Sequence, residues 1–272
     1  MITASIVTYK TQKEELLTVM QCLLSNTVSK IYVVDNSPTD DLKEVVETLS
    51  ERVEYVFGQG NVGYGTAHNI AIHKAIENGS RYHFVTNSDI IIKEEIILPM
   101  IEYMQNEENV GMMMPKILNL DGTPQYLPKL LPSPFMLLLR KIKRPFKIYN
   151  NYMTKYELRD IDVICNVPLI SGCFSLLNLS LLQKFEIGGY DERFFMYFED
   201  FDLSRRFHQK CKTIYYPLVS VYHGYEGGAN KSGRLFKVFV SSAIKYFNRW
   251  GWFFDRERSY FNAIILRELN IK

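Results

Sequence analysis

The stretch Ile2-Thr-Ala-Ser-Ile-Val-Thr-Tyr9 predicts a β-strand, and the two segments that follow it decide the fold. Thr11-Gln-Lys-Glu14 has the spacing of a capping box, which predicts the start of a helix. Ile31-Tyr-Val-Val34 is continuously apolar, as expected of a strand that is covered on both faces. A strand, a helix and a second buried strand in this order indicate a parallel sheet flanked by helices.

The same alternation continues along the chain. Further strands are predicted over 53–57, 82–86 and 110–114, and helices over 40–49, 63–78 and 93–106. Prolines and an apolar run interrupt the pattern over 127–160, and strands return over 161–167, 173–177 and 219–222. We therefore predict an α/β fold with a Rossmann-like, mostly parallel central sheet.

The composition is that of an ordinary globular protein of 272 residues, with 47% hydrophobic and 23% charged residues. The four cysteines have neither disulfide-framework nor zinc spacing, which favours free thiols in a reducing compartment. No basic region opens the chain and no uncharged apolar run reaches about 18 residues, so we predict neither a signal peptide nor a spanning helix. A cytoplasmic location is expected.

Charge is distributed unevenly between the two halves of the chain. Residues 1–128 carry 9 Lys/Arg against 17 Asp/Glu, a net charge of −8, and residues 129–272 carry 23 against 13, a net charge of +10. A basic half indicates an anionic partner, such as a nucleic acid, a phosphorylated ligand or a membrane surface. No recognition module explains acids at strand ends, so we do not expect a nucleic acid.

Polar residues follow four predicted strands: Thr8-Tyr9, Asp35-Asn36-Ser37, Gly60-Asn61 and Asn87-Ser88-Asp89. Ligands of open parallel sheets bind beyond the carboxyl ends of the strands. Turns alone also favour Asn, Asp and Ser, but four such segments at one edge indicate a binding site.

Gly58-Gln-Gly-Asn-Val-Gly63 matches a dinucleotide-binding pattern, but it follows the third strand rather than the first. We interpret it as a flexible loop and a helix N-terminus near a diphosphate. No GxxxxGK[ST] segment is present in the sequence, which excludes phosphoryl transfer of the P-loop kind.

Two adjacent acids, Glu199 and Asp200, end the aromatic run in Arg193-Phe-Phe-Met-Tyr-Phe-Glu-Asp-Phe-Asp-Leu-Ser-Arg205. Burial by the aromatic residues would raise a carboxyl pKa toward the range that a general base needs. An acidic helix start is the alternative interpretation, and the two are compatible. Asp89 and His223 are candidate ligands for Mg²⁺ or Mn²⁺, although a histidine with a purely structural role remains an alternative.

Seven short segments together carry a resemblance to a known family. They are Ser5-Ile-Val-Thr-Tyr9, Val33-Val-Asp-Asn-Ser37, Asn61-Val-Gly-Tyr-Gly-Thr-Ala-His-Asn69, Asn87-Ser-Asp89, Ser171-Gly-Cys-Phe174, Gly189-Tyr-Asp-Glu-Arg-Phe-Phe-Met-Tyr-Phe-Glu-Asp200 and Val221-Tyr-His223. In this order and spacing they resemble family 2 glycosyltransferases of the GT-A fold, in the bacterial rhamnosyltransferase-like branch. The resemblance implies one GT-A domain over 1–272, with a nucleotide-sugar-binding half (1–126) and an acceptor-binding half with C-terminal helices (127–272). The fold implied is a Rossmann-like sheet with a smaller C-terminal acceptor-binding lobe.

The resemblance also implies an inverting transferase whose donor is dTDP-rhamnose or a UDP-sugar. Its acceptor would be a glycan or a lipid-linked sugar of bacterial surface polysaccharide synthesis. The implied nucleotide-sugar-binding residues are Thr8, Tyr9, Asp35, Asn36, Asn61, Gly63, Asn69, Ser88 and Asp89. Asp89 would hold the metal with help from His223, Asp200 would be the base beside Glu199, and Ser171-Gly172 would flank the acceptor sugar. Asn87 replaces the first acid of the D-x-D triplet, which leaves metal dependence open.

Two segments suggest contact with the inner face of the cell membrane. Phe135-Met-Leu-Leu-Leu139 lies beside Arg140, Lys141, Lys143, Arg144 and Lys147, and residues 245–258 are aromatic and basic. Such segments can lie in an anionic interface, or they can pack between lobes with solvated charges.

Two rival functions are a sugar nucleotidyltransferase and a catalytically weak or silent sugar-binding protein. The first would need a Gly-rich basic loop where Tyr9-Lys-Thr-Gln12 stands, and the second rests on Asn87 alone. The donor base and sugar, the acceptor, the linkage and the oligomeric state stay open.

Overall fold

The computed structural model describes residues 1–142, 147–159, 161–224 and 233–271. Its strands are β1 (Ile2–Thr8), β2 (Lys30–Asp35), β3 (Val53–Val56), β4 (Tyr82–Thr86), β5 (Ile90–Ile91), β6 (Val110–Leu118), β7 (Cys165–Asn166), β8 (Phe174–Asn178) and β9 (Lys212–His223). Its helices are α1 (Lys13–Ser25), α2 (Lys43–Leu49), α3 (Tyr64–Glu77), α4 (Ile97–Asn106), α5 (Pro134–Ile142), α6 (Lys147–Tyr156), α7 (Leu179–Lys184), α8 (Glu199–His208), α9 (Gly233–Trp250) and α10 (Arg256–Glu268).

One nine-stranded sheet runs through the molecule in the order β3-β2-β1-β4-β8-β6-β9-β5, and β7 pairs with β9. The strands β3, β2, β1 and β4 are parallel, as predicted. The strand β8 is antiparallel to both β4 and β6, so a strand from the later part of the chain joins the two parts of the sheet. The α/β prediction is confirmed, and the complete sheet is mixed.

Helices pack on the parallel strands with small or aliphatic side chains. In α3 the buried face includes Ala67, Ala71 and Ala75, and these small residues let the helix lie close to β1 and β2. In α1 the buried residues are Leu16, Val19, Met20 and Leu23. The predicted capping box is wrong, because the helix is preceded by Gln12 in an extended conformation and no side chain caps it.

Two strand predictions differ from the structure. The strand predicted over 161–167 is reduced to Cys165–Asn166, and Val163 is exposed. The short strand predicted before His223 is instead a 12-residue strand that passes Pro217. Its register with β6 shifts between the pairs Pro115–Tyr216 and Lys116–Ser220. Such an irregularity accommodates a residue that has no backbone N–H.

A smaller aromatic cluster joins α5, α8 and α9. It contains Leu137, Phe194, Phe198, Tyr246 and Phe247. Beside it, the buried guanidinium of Arg205 donates two hydrogen bonds of 2.7 Å to Asp255, just before α10. These contacts fix the start of α8 relative to the C-terminal helices. None of the described helices is long and apolar enough to cross a membrane.

Candidate active site

The carboxyl ends of β1 and β2 place three polar residues together. Thr8 pairs with Asp35 in register, and the Asn36 N–H donates to the Thr8 carbonyl at 2.9 Å. All three residues are buried. Asp35 accepts hydrogen bonds from the Ser37 N–H (2.9 Å) and the Tyr55 hydroxyl (2.6 Å). Burial, together with the bond to Asp35, raises the pKa of Tyr55.

Gln59, which sequence reasoning missed, covers this group. Its amide Nε2 donates to the Asp35 carbonyl at 2.8 Å and to Asn36 Oδ1 at 3.2 Å. Its Oε1 and the Thr8 Oγ1 are buried without a hydrogen-bond partner among the described residues. Buried polar atoms normally have partners, so these two atoms are free to meet a ligand. The signal was Gly58-Gln-Gly60, because glycines at positive φ on both sides let the chain turn around Gln59.

Two other predicted pocket residues lie at the surface. Tyr9 is half exposed, and Asn61 is exposed, with its Oδ1 accepting the Gly63 N–H at 3.3 Å. Tyr9 directly follows Thr8 in the chain, and both side chains are open to solvent.

Gly63 and Asn69 contact the segment that precedes the acid pair, and the Gly63 carbonyl also accepts a hydrogen bond from Asn36 Nδ2 at 3.2 Å. A Cβ on Gly63 would lie 2.3 Å from the Phe195 carbonyl oxygen, and that oxygen accepts the Tyr64 N–H at 2.9 Å. The Asn69 amide donates to the Tyr190 carbonyl (2.8 Å) and accepts its N–H (2.7 Å). The nitrogen and the oxygen of the Asn69 side chain are therefore both hydrogen-bonded to Tyr190. Gly63 and Asn69 thus hold α3 against residues 189–200. We call residues 189–200 the acid-pair segment.

The triplet Asn87-Ser88-Asp89 follows β4 and meets His223 at the end of β9. The pairing of Ile90 with His223 brings His223 Nε2 to 3.4 Å from Asp89 Oδ1 and 3.2 Å from Asn87 Nδ2. The Ser88 hydroxyl donates a hydrogen bond of 2.5 Å to Glu15 Oε1. We call Thr8, Asp35, Asn36 and this triplet the strand-end edge.

Gln125, also missed from the sequence, fixes the tautomer of His223. Its Nε2 donates to Asn119 Oδ1 and to the His223 carbonyl, each at 2.9 Å. Its Oε1 therefore faces His223 Nδ1 at 2.9 Å and accepts a hydrogen bond from the Nδ1–H. With the proton on Nδ1, Nε2 is an acceptor for the Asn87 Nδ2–H at 3.2 Å and lies 3.4 Å from Asp89 Oδ1.

Tyr64 connects the strand-end edge to the acid pair. Its hydroxyl oxygen lies 2.8 Å from Asn87 Oδ1 and 2.7 Å from the Gly172 carbonyl oxygen. The Gly172 N–H donates to Asp200 Oδ2 at 3.1 Å. A Cβ on Gly172 would lie 3.3 Å from the Asp200 Cβ, so a larger residue would crowd the carboxylate.

The backbone before the acid pair is strained. Tyr197 and Phe198 have φ values of 68° and 66°, in the left-handed region that larger residues rarely adopt. Each such residue costs about 1–3 kcal/mol and persists only where packing enforces it. The ring centroid of Phe198 lies 5.2 Å from that of Phe201 and 5.4 Å from that of Tyr246. This aromatic packing holds the backbone in the strained conformation. The helix α8 then begins at Glu199, so the acidic helix start is confirmed.

The two acids lie in different environments. Glu199 is buried, and its Oε2 has no hydrogen-bond partner among the described residues. Burial raises the pKa of Glu199 well above its usual range, and Asp200 raises it further. Burial also raises the pKa of Asp200. Its carboxylate accepts hydrogen bonds from the N–H groups of Gly172 and Phe201 (2.9 Å), which oppose that rise. The positive charge of Lys129 opposes it as well. Both pKa values are therefore raised by burial, and hydrogen bonds that favour the ionised form are present at Asp200, whereas Glu199 Oε2 has none among the described residues.

A cavity of about 310 Å³ lies beside Gly172 and His223. Its lining includes Ser171, Lys129, Glu157, Gln125 and His223.

The remaining charges of α8 are structural, because Asp202 is fully buried and accepts hydrogen bonds from Arg206 (2.8 Å) and Trp250 (2.9 Å). Among the described residues, no group of three or more His, Cys, Asp or Glu could hold a metal ion.

This chain belongs to glycosyl transferase family 2, because the profile of that family matches residues 3–185. Similar curated proteins include the N-acetylglucosaminyl-diphospho-decaprenol L-rhamnosyltransferase of Mycobacterium tuberculosis, 26% identical over 203 residues, 71% of this chain and 66% of that protein. The rhamnosyltransferase WbbL of Escherichia coli is 27% identical over 237 residues, 81% of this chain and 82% of that protein. The low-salt glycan biosynthesis hexosyltransferase Agl10 of Haloferax volcanii is 28% identical over 184 residues, 66% of this chain and 53% of that protein. The chain thus spans about half to two thirds of two of these relatives.

Solved structures share the fold. GalNAc-T7 with UDP, GalNAc and Mn²⁺ matches with a TM-score of 0.64 and 14% identity, over 92% of this chain and 50% of that chain. Residues 1–349 of S. aureus TarS with UDP match with a TM-score of 0.58 and 16% identity, over 99% of this chain and 70% of that chain. The GT-A fold and the rhamnosyltransferase-like branch expected from the sequence are confirmed.

Proposed function

We propose that this protein is an inverting glycosyltransferase in which Asp200 is the general base and the strand-end edge binds a nucleotide-diphosphate sugar. The observation that carries the proposal is the path Asn87–Tyr64–Gly172–Asp200, which joins the two groups through contacts of 2.7–3.1 Å. A donor at the strand-end edge and an acceptor in the cavity beside Gly172 would then meet at Asp200.

The nucleoside would occupy the pocket of Thr8, Asp35 and Asn36, bordered by Tyr9 and Asn61. The unpartnered Thr8 Oγ1 and Gln59 Oε1 supply buried hydrogen-bonding atoms for it. Gly63 and Asn69 would act indirectly, by holding α3 against the acid-pair segment. Ser88, engaged with Glu15, would position the triplet.

The residues present fit a divalent metal. Asp89 Oδ1 and the lone pair of His223 Nε2 lie 3.4 Å apart, and a cation between them would relieve their repulsion. Tyr64 has one hydroxyl proton but two acceptor oxygens within reach. If the Asn87 amide is turned, its NH₂ donates to Tyr64 and its oxygen faces His223 as a third ligand. Mg²⁺ or Mn²⁺ would neutralise charge on the leaving diphosphate, whose oxygens would complete the coordination.

Asp200 would take the proton from the acceptor hydroxyl as its oxygen attacks the anomeric carbon. The bond from that carbon to the phosphate oxygen breaks, and the nucleoside diphosphate leaves with the electron pair. The raised pKa of Glu199 favours its neutral form, which would keep a second negative charge away from the donor. Ser171, Gly172 and Lys129 would line the place of the acceptor sugar.

The names of the rhamnosyltransferase relatives support rhamnose as the transferred sugar, and the donor that we propose is dTDP-rhamnose or a UDP-sugar. The mycobacterial name also supports a lipid-linked acceptor. We place the reaction on the cytoplasmic side of a membrane, in bacterial surface polysaccharide synthesis. No observation favours a nucleotidyltransferase, and the environments of Glu199 and Asp200 favour catalysis over silent binding.

The test is a transfer assay with dTDP-rhamnose and UDP-sugars, lipid-linked and free glycan acceptors, and Mg²⁺, Mn²⁺ or chelator. NMR of the product reports the anomeric configuration. Transfer with inversion supports the proposal. Retention of configuration, or nucleotide binding without transfer to any acceptor, contradicts it.

A further inference from the structure

The cavity beside Gly172 combines apolar and charged side chains in a small space. Within its volume of about 310 Å³ it is lined, among others, by Pro124, Tyr126, Leu127, Lys129, Glu157 and Ser171. Both Lys129 and Glu157 are buried. Buried charged groups are paired or belong to a functional site, so this lining indicates a specific ligand.

A mixed lining of this kind suits a sugar ring. A pyranose has a C–H face that packs against an aromatic ring, and it has hydroxyl groups that form strong hydrogen bonds with charged side chains. The volume of the cavity is at the small end for ligand sites, which limits the occupant to about one ring.

Arg159 holds an aromatic ring and a carboxylate of this lining in place. Its Nε and Nη2 both donate to Glu157 Oε2, at 2.8 and 2.5 Å. Its guanidinium carbon lies 5.4 Å from the centre of the Tyr126 ring, within the range of a cation–π contact. A carboxylate has about four acceptor positions, so Glu157 can accept sugar hydroxyls in addition to the Arg159 donors.

The turn at the end of α6 creates this arrangement. Leu158, between Glu157 and Arg159, has a φ of 44°, in the left-handed region that favours glycine at the end of a helix. Its side chain is buried, and the Arg159 N–H donates to the Thr154 carbonyl at 3.1 Å. Packing and this hydrogen bond therefore fold Arg159 back onto Glu157.

The cavity lies between the two regions of the proposed active site. On one side, Tyr126 directly follows Gln125, whose side chain is hydrogen-bonded to His223. On the other side, Ser171 directly precedes the glycine whose N–H donates to Asp200. A sugar in the cavity would therefore lie between the end of β9 and the acid pair.

Two segments that the sequence suggested as membrane contacts form no part of the lining that the described residues give this cavity. Within them, Leu137 is buried with Phe194, and the Trp250 indole donates to Asp202. Lys143 and Arg144 lie outside the described residues, as do the side chains of Arg140, Lys141 and Lys147.

We propose that this cavity binds one pyranose ring of the acceptor, with the C–H face of the ring on Tyr126 and its hydroxyls on Glu157. Arg159 is a positioning residue, because it acts on the sugar through these two side chains. The word acceptor rests on the proposed function, since the transfer reaction defines it. Sugar binding is measured without transfer, so the two proposals can fail separately.

The test is saturation-transfer NMR of the full chain with the methyl glycosides of glucose, galactose, mannose, rhamnose and N-acetylglucosamine, with and without UDP and Mn²⁺. We expect at least one glycoside to bind. Tyr126→Leu, Glu157→Gln and Arg159→Met should each weaken that binding by about tenfold. Tyr126→Phe keeps the aromatic surface and should bind within about twofold of the wild type.

Two variants away from the cavity are the matched controls. They are Tyr260→Leu, at a 63% exposed position of α10, and Glu107→Gln, which removes a surface ion pair with Lys212. Both should bind the glycoside like the wild type. In transfer assays, the variants of the cavity should raise the acceptor KM by about tenfold and leave the donor KM and kcat unchanged, which a general loss of structure would not do.

The proposal would be overturned if no glycoside bound to the wild type, or if Tyr126→Leu and Glu157→Gln bound it like the wild type. It would also fail if dTDP-rhamnose or UDP-glucose displaced the glycoside while dTDP and UDP did not, because the cavity would then hold the donor sugar. Binding that depends on Tyr126 and Glu157, without transfer to any acceptor, would support the sugar site and contradict the proposed function.

Discussion

The strand-end edge and the acid-pair segment build the site in opposite ways. At the strand-end edge, regular parallel strands bring polar residues together, and hydrogen bonds such as Tyr55 to Asp35 satisfy the carboxylate. In the acid-pair segment, two residues with positive φ precede a carboxyl group whose Oε2 has no partner among the described residues. The first arrangement suits binding. The second combines a strained backbone with two buried carboxyl groups whose pKa values are raised, which fits the catalytic role that we propose.

The largest expected effect separates the two acids. Asp200→Asn should lower the transfer rate by about 10²–10⁴, because a general base is lost, while nucleotide affinity stays nearly unchanged. Glu199→Gln is the matched control. It mimics the protonated acid and should keep most of the activity. Steady-state rates with calorimetry of UDP and dTDP check this, and a reversal of the two variants would assign the base to Glu199.

The next effect concerns the support of His223. Gln125→Met removes the acceptor for Nδ1–H without a large change in volume, so His223 can adopt the other tautomer. Loss of such a partner typically weakens metal binding by about 10–100-fold. Mn²⁺ titration by electron paramagnetic resonance, with UDP present, measures it. The exposed Gln209→Met serves as control, and unchanged Mn²⁺ affinity in Gln125→Met would remove His223 from the metal site.

A smaller effect tests the contact between the two regions. Asn69→Leu leaves the N–H and the carbonyl of Tyr190 without partners, at a cost of about 2 kcal/mol in the free energy of unfolding. The acid-pair segment should then shift, which lowers kcat without changing nucleotide affinity. Asn78→Ala, at the end of the same helix, should lower stability without a selective effect on kcat. If Asn69→Leu instead weakened nucleotide binding, Asn69 would belong to the pocket.

The smallest effect concerns the pH dependence of stability. It tests a buried histidine, His83 of β4, whose pKa is lowered, in contrast to the buried acids Glu199 and Asp200, whose pKa values are raised. His83, bonded to Thr3 and Ser5 at 2.8 Å, is buried, and burial lowers its pKa to about 3. Below about pH 6.5 the unfolded chain binds a proton that folded His83 refuses, so stability falls as pH decreases. His83→Gln should make the pH dependence of unfolding shallower by about 1.4 kcal/mol per unit between pH 6 and 4. An unchanged slope in chemical denaturation would contradict a neutral His83.

The same contrast explains what could be predicted from the sequence. The parallel strands and the positions of Thr8, Asp35 and Asp89 followed from local periodicity, which needs no knowledge of distant contacts. Gln59, Tyr64 and Gln125 were missed because their roles depend on partners brought near by the fold, such as Gly172 for Tyr64. The contacts of Gly63 and Asn69 with residues 189–200 were missed for the same reason. Close packing of α3 on Tyr190 and Phe195 is invisible in a single sequence.

The most direct measurement is a crystal structure with UDP or dTDP and Mn²⁺. We expect the pyrimidine beside Asp35 and Gln59, the metal between Asp89 and His223, and the diphosphate next to the metal with Asp200 uncovered on the acceptor side. A nucleotide whose pyrimidine lies away from Asp35 and Gln59, or a metal bound away from Asp89 and His223, would contradict the division between a binding edge and a catalytic segment.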